Sequence, residues 1–314
     1  MTDLSVIIPA RNEQFLQRTI EDVLEHAEAD TEVIAIADGY WPDPPIQDHP
    51  KVTLVHHSES IGQRAATNEG ARISRAEYIM KLDGHCRMAQ GFDVALMEDC
   101  RESWTMVPQM HNLHAFNWKC GACGRTFYQG KRPEACKCGG TEFEQVMVWK
   151  RRSGVLTICW RFDKDLHFQY WQERDKAIKK TDEMLVETMS CIGACFLMRR
   201  ERFWELGGMD EAHGSWGQFG TELACKTWLS GGKMITSRKT WFAHLFRTEN
   251  FKGAFGGGSS FPYRMSQRDV DKARKYSRDL WLNDKWPGAH LPLEWLIERF
   301  DPPGWRAYDD IKLD

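Results

Sequence analysis

Four short apolar runs between Leu4 and Arg87 constrain the fold more than any other feature: LSVIIPARNE, EVIAIADGY, KVTLVHH and YIMKLDGHCR. Each is nearly continuous in apolar residues, as expected of strands buried on both faces. Helical spacing of Phe15, Leu16, Ile20, Val23 and Leu24 follows the first run, and GQRAATNEGARIS reads as a helix from Gln63 to Ser74 before the fourth. Strand, helix, strand, strand, helix, strand is the signature of an α/β half with a mostly parallel sheet. Ligands collect at the carboxyl ends of such strands. Pro9, Asn12, Glu13, Asp38 and Asp83 all fall at those ends.

The fourth run raises a question of its own. Asp83 and His85 lie two apart, so at the end of an extended segment both side chains can project the same way. That is metal-ligand spacing, and it is equally the look of a plain strand-to-turn exit, because Asp and Gly are ordinary turn residues.

The chain has 314 residues, 42% hydrophobic and 28% charged, which is ordinary globular composition able to bury one large core or two smaller ones. A net charge of -3 gives no global preference for nucleic acid or an anionic membrane. The sequence opens without a charged and apolar leader, and no run approaches the ~20 apolar residues of a membrane span. These features lead us to expect a protein of the cytoplasm, the host's if phage-encoded, without membrane insertion. Ten cysteines fit that compartment as free thiols or metal ligands.

Four of those cysteines are grouped. Cys120-x2-Cys123 and Cys136-x-Cys138, with glycines close behind, have the look of the two knuckles of a zinc ribbon. Four thiolates suit tetrahedral Zn²⁺, and so short a segment needs a staple to hold it. Free cysteines in a loop are the alternative reading. The expected organisation is residues 1–115 as a first α/β half, 116–145 as the ribbon, 146–265 as a second half, and 266–314 as a helix and a surface-wrapping tail. Within the second half, WFAHLFR reads as a short strand and FKGAFGGGSSFPYR as a mobile lid.

Taken together, LSVIIPARNE, ADGY, GQRAATNEGARISRAEYIMKLDGHC and IGACFLMRRERFWELGGMDE resemble the family 2 type of glycosyltransferases with the GT-A fold. The resemblance is stronger to the polypeptide N-acetylgalactosaminyltransferases, a retaining family whose metal motif is Asp-x-His, here Asp83-Gly84-His85. Trp216-Gly217, Glu222, Gly231-Gly232 and the HLFR run from His244 to Arg247 fit the same pattern. The likeness covers most of the chain outside the ribbon and the tail. Neither the membrane anchor nor the lectin domain of those Golgi enzymes is expected from these residues. One further departure is chemical: where both families carry an acidic residue after Trp-Gly, this chain has Phe219-Gly220.

The resemblance implies an α/β GT-A fold and a nucleotide-diphosphate-sugar donor, with UDP the expected nucleotide. It implies metal ligation by Asp83, His85 and His244, and two imidazoles shift preference from Mg²⁺ towards Mn²⁺. Asp38 is expected to meet a uracil ring, Asn12 and Glu13 to share that face, and Arg64 and Arg247 to meet the diphosphate. Trp216 is expected to cover the sugar, and Glu222 is the nearest substitute for the missing base. Without a base, retention is the expected outcome. The acceptor stays open among a hydroxylated DNA base, a glycan, a protein and a small molecule. Two other classes compete: a sugar-phosphate nucleotidyltransferase, opposed by the lack of glycine in PARNEQF, and a non-catalytic ribbon protein binding nucleic acid through WKRRSG and GKRPEACK.

Overall fold

The computed structural model describes residues 2–214, 217–246 and 267–305. The first half runs β1 (Leu4–Ala10), α1 (Leu16–His26), β2 (Thr31–Asp38), β3 (Val52–His57), α2 (Gln63–Ile73) and β4 (Tyr78–Leu82). A short β5 (Cys86–Met88) and α3 (Phe92–Met97) precede the long β6 (Trp104–Cys120), β7 (Thr126–Tyr128) and β8 (Phe143–Thr157). Then come β9 (Trp160–Phe162), β10 (Phe168–Tyr170), α4 (Gln172–Ile178), β11 (Leu185–Glu187), β12 (Cys195–Arg199) and α5 (Arg200–Glu205). The described chain closes with α6 (Phe219–Leu229), β13 (Lys233–His244), α7 (Gln267–Leu282) and α8 (Leu293–Phe300).

One mixed sheet carries the fold, in the order β11-β13-β6-β12-β4-β1-β2-β3. The β4-β1-β2-β3 half is parallel, as the four apolar runs require. β12 runs antiparallel between β4 and β6. The parallel half is covered on both faces. Val33 and Ala35 of β2 join the main core with Leu16, Ile20 and Val23 of α1, while Ile34 and Ile36 turn the other way onto Ala66 of α2. Alternation along one strand thus feeds two layers.

Two sequence expectations are corrected. The strand anticipated at WFAHLFR begins earlier, at Lys233, because the β-branched Ile235 and Thr236 extend it and an irregularity between Ser237 and Trp241 absorbs the break. The tail does not merely wrap the surface: Leu293 and Leu296 of α8 are fully buried, and Trp305 is nearly so. Its apolar spacing was masked by the flanking prolines. The expected ribbon is continuous with the central sheet: β6 runs unbroken to Cys120 and pairs antiparallel with β8 along the arm. The anticipated lid lies outside the described residues.

Gly220 marks a close approach at the start of α6. A Cβ there would stand 1.9 Å from the Cys191 carbonyl oxygen. Backbone cannot yield that distance cheaply. Gly220→Ala is expected to cost about 2 kcal/mol or more of folding stability, read as a drop in denaturant midpoint. Gly231→Ala, where φ is +84° but nothing lies within 4 Å, is expected to cost about 1 kcal/mol.

Candidate functional site

The site forms where β4 ends and β5 begins. Asp83 donates its backbone N–H to Ala194 O at 2.9 Å, and β5 pairs antiparallel with the last residues of β13, Cys86 opposite His244. That register carries His244 back to the Asp83-Gly84-His85 turn. His85 Nε2 and His244 Nε2 lie 3.1 Å apart, and His244 Nε2 lies 3.2 Å from Asp83 Oδ2. The candidate ligand atoms of Asp83, His85 and His244 all fall within 4.8 Å of one another. The turn is pinned to α1: the Thr19 hydroxyl donates to Gly84 O at 2.9 Å and accepts from Cys86 N at 3.2 Å.

Glu13, expected on the nucleotide face, bonds His85. His85 Nδ1 donates to Glu13 Oε2 at 2.9 Å, while Glu13 Oε1 accepts the Phe15 N–H at 3.0 Å. A carboxylate on Nδ1 fixes the tautomer that leaves the Nε2 lone pair free for a cation. Gly84 gives Glu13 its room, since a Cβ there would meet Glu13 Cγ at 3.0 Å.

Lys81, which sequence reasoning passed over, is fully buried in β4 and holds Asp83 in place. Its ammonium donates to Asp83 Oδ1 and to Gly193 O at 2.8 Å. Gln63 Nε2 adds a longer bond to the same Oδ1 at 3.4 Å. Oδ1 is therefore occupied and Oδ2 faces the histidines. Burial would raise the Asp83 carboxyl, but Lys81 first, then His244 and His85, hold it well below the usual carboxylate range. Burial pushes His244 down to about 4, only partly offset by Asp83. One charged carboxylate and a neutral imidazole are the ligand forms a divalent ion requires. His244 Nδ1 is buried and unpartnered, so the ring's polar interactions lie on its Nε2 side. This donor set fits Mn²⁺. The only sequence signal for Lys81 was a charge inside YIMKL.

Other expected site residues fall elsewhere. Asp38, at the end of β2, accepts from Ile61 N (2.6 Å), Ser60 Oγ (2.8 Å) and Gly62 N (3.1 Å). Its carboxylate thus organises the loop before α2, and it meets a base only alongside those bonds. Pro9 is half-buried in β1, and exposed Asn12 takes a left-handed φ of 49° in the following loop. Arg64, expected to meet the diphosphate, is turned onto protein groups. It is almost fully buried, with Nε on Glu222 Oε2 at 2.7 Å, Nη1 on Gly214 O at 3.3 Å and Nη2 on Gly217 O at 2.8 Å.

Glu222, the expected substitute for the base, is likewise buried and engaged at both oxygens. Its other oxygen accepts the Asp210 N–H at 2.6 Å and meets Lys226 Nζ at 2.9 Å. Burial alone would raise its carboxyl, but Lys226, Arg64 and His213 outweigh that and lower it. Phe219 lies under the cations of both Arg64 and Lys81, at 5.6 and 5.2 Å from the ring centre. Trp216 and Arg247 lie outside the described residues.

The four grouped cysteines also converge. Cys120 Sγ is 3.7 Å from Cys138 Sγ, and Cys123 Sγ is 3.6 Å from Cys136 Sγ. Sulfurs about 2.3 Å from a tetrahedral zinc stand about 3.8 Å apart. Gly124 and Gly139, both at positive φ, close the two knuckles by donating to Cys120 O (2.8 Å) and Cys136 O (2.9 Å). Backbone N–H groups of Cys123 and Ala122 help draw the Cys120 thiol down to about 7.

The buried Arg64–Glu222–Lys226 group yields a stability prediction. Glu222→Gln leaves two cations without their counter-charge and is expected to cost about 3–5 kcal/mol, measured by denaturant unfolding. Because the folded carboxyl is depressed, its contribution is complete above the ordinary value of 4.5 and is lost as pH falls through the folded value. The variant's stability is accordingly expected to be flatter with pH on the acid side.

Residues 5–105 match the family described as Glycosyl transferase family 2. The putative polypeptide N-acetylgalactosaminyltransferase 13 of Drosophila melanogaster is 25% identical over 265 residues, covering 78% of this chain and 42% of that protein. N-acetylgalactosaminyltransferase 6 of the same species is 42% identical over 110 residues, 35% of this chain and 15% of that protein. The chain spans less than half the length of these curated relatives. Among solved structures, GalNAc-T7 with UDP, GalNAc and Mn²⁺ superposes with a TM-score of 0.61 at 18% identity, covering 98% of this chain and 56% of that one. Residues 5–105 are thus similar in sequence to glycosyl transferase family 2, and nearly the whole chain shares the fold of GalNAc-T7.

Proposed function

We propose that the protein transfers a sugar from a nucleoside diphosphate, a UDP-sugar, to an acceptor hydroxyl, with Mn²⁺ held by Asp83, His85 and His244. The observation that carries this reading is the convergence of those three side chains at the carboxyl end of the sheet, with Glu13 fixing one ring and Lys81 the carboxylate. The printed ligands of GalNAc-T7, UDP, GalNAc and Mn²⁺, agree with that chemistry. A divalent ion there supplies Lewis-acid stabilisation to the departing diphosphate. The half comprising residues 1–115 holds the donor, and residues 146–265 form the acceptor side.

Retention is the stereochemical outcome we favour. The glycosidic C1–O bond to the diphosphate breaks while the acceptor oxygen bonds C1 on the same face, and the hydroxyl proton passes to a diphosphate oxygen. This needs no protein base, in keeping with the Cβ-free packing at Gly220 and the engaged Glu222. A product of inverted anomeric configuration would overturn it. The Cys120, Cys123, Cys136 and Cys138 group is read as a structural Zn²⁺ site, and four such thiols suit a reducing, cytoplasmic setting.

Mn²⁺ with UDP is expected to raise the thermal midpoint, and His85→Ala to abolish the shift. Glu13→Gln is expected to weaken Mn²⁺ binding roughly 10- to 100-fold, followed by electron paramagnetic resonance of free Mn²⁺. Unaltered affinity would remove Glu13 from the site. Atomic absorption is expected to find one zinc per chain, and Cys136→Ser to lose it while the Mn²⁺–UDP shift persists. Zinc-free wild type with the same stability would sink the ribbon assignment.

A further inference from the structure

The hairpin of β6, β7 and β8 has a task that the donor site does not account for. Its root is the site itself: Asn112 of β6 is the register partner of His244 in β13. From that row β6 continues to Cys120, reaching about 26 Å at roughly 3.3 Å per residue. Between Phe116 and Gly154 the chain places eight Lys and Arg against three Glu, in a protein whose net charge is -3. The arm is therefore basic on an otherwise acidic molecule.

Its cations are held by rings more than by carboxylates. Arg151 lies 4.8 Å from the centre of the Trp241 ring, and Arg152 lies 5.1 Å from that of Tyr128. On Tyr128, 38% exposed, the His114 ring packs at 4.6 Å between centroids. Lys150 is the cross-strand partner of His114 and stands two residues from Arg152, so Lys150, Arg152, His114 and Tyr128 share one face. Lysine, arginine and stacked flat rings on one extended face suit a chain that carries both phosphates and planar bases. An acidic polypeptide would satisfy the charge and offer no flat base to the exposed part of Tyr128.

We infer that this arm docks single-stranded nucleic acid and leads it towards the Asp83–His85–His244 site. Docking stands on the arm alone; the role of the bound strand as acceptor rests on the transferase reading. Phosphate contacts by Lys150 and Arg152 and stacking at Tyr128 make separable contributions. The first is salt-dependent, whereas the second is nearly independent of salt.

The test is fluorescence anisotropy of the full, zinc-loaded chain with a labelled oligothymidylate long enough to span the arm, at several salt concentrations. Binding is expected to weaken linearly in log–log form with added salt. K150Q/R152Q is expected to reduce affinity about tenfold and the slope by about 1.4, at roughly 0.7 per phosphate contact on a single strand. Tyr128→Leu is expected to reduce affinity about tenfold at unchanged slope. Thermal midpoint and zinc content serve as folding controls for both. Absence of binding, affinity unchanged in K150Q/R152Q, or displacement by poly-L-glutamate as effective as by unlabelled oligothymidylate would each overturn the inference. The Mn²⁺–UDP shift is measured on the same samples: its loss in wild type removes the transferase reading and leaves docking to be judged by anisotropy.

Discussion

Everything at the Asp83, His85 and His244 cluster depends on the register between a three-residue strand and the end of a twelve-residue one. Cys86 lies opposite His244, Arg87 opposite Ala243 and Met88 opposite Phe242. Because side chains alternate along a strand, a slip by one residue would turn the His244 ring to the opposite face and leave Asp83 and His85 without it. The register is held from both sides. Thr19 grips the turn before β5, and Asp22 Oδ1 accepts the Met88 N–H after it at 2.7 Å. Helix α1 thus clamps the segment that meets β13. Asp83, His85 and His244 meet across the sequence because hydrogen bonds to one helix hold β5 in one register.

Buried charge then sets which atoms face the opening. Lys81 is an uncommon residue for a central strand, since an ammonium withdrawn from water is costly unless paired and hydrogen-bonded. Here Asp83 pairs it, Gly193 O accepts from it, and Phe219 lies beneath it. The carboxylate is consequently presented through one oxygen. Arg64 does related work further out. By bonding Glu222 and the carbonyls of Gly214 and Gly217, it ties α2, which carries Gln63, to the start of α6. A residue that reads as a ligand-binding cation is part of the frame.

Much of this was legible in the sequence. Continuous apolar runs with helical segments between them fixed the parallel half, and Asp83, His85, His244 and the four cysteines were found by residue type and spacing together with family likeness. What could not be read was direction and depth. Nothing in GQRAATNEG distinguishes an arginine facing a ligand from one facing Glu222, because the partner is 158 positions away. Glu13 looked like a neighbour of the nucleotide, and its bond to His85 Nδ1 could not be read from the sequence. Helix α8 was hidden by the local Pro and Trp content, although its Leu293, Leu296 and Phe300 spacing buries one face. Spacing reveals which residues can meet, while burial decides what they are used for.

The arm and the site are also mechanically one unit. Phe15, two residues after Glu13, packs with Leu113, Phe116 and Trp149 of the hairpin and with Ala243 and Leu245, which flank His244. The Trp149 indole N–H donates to Asp22 Oδ2 at 3.1 Å, and the Arg87 guanidinium donates to Trp149 O. The same aspartate that positions β5 therefore anchors the hairpin. A cluster shared so closely leaves little freedom for the root of the arm to swing relative to the histidines, because close-packed side chains transmit displacement rather than absorb it. Whatever lies along the hairpin face near its root is held at a fixed approach to Asp83, His85 and His244. Positioning of that kind is the main contribution a scaffold makes when the reacting hydroxyl belongs to a large partner.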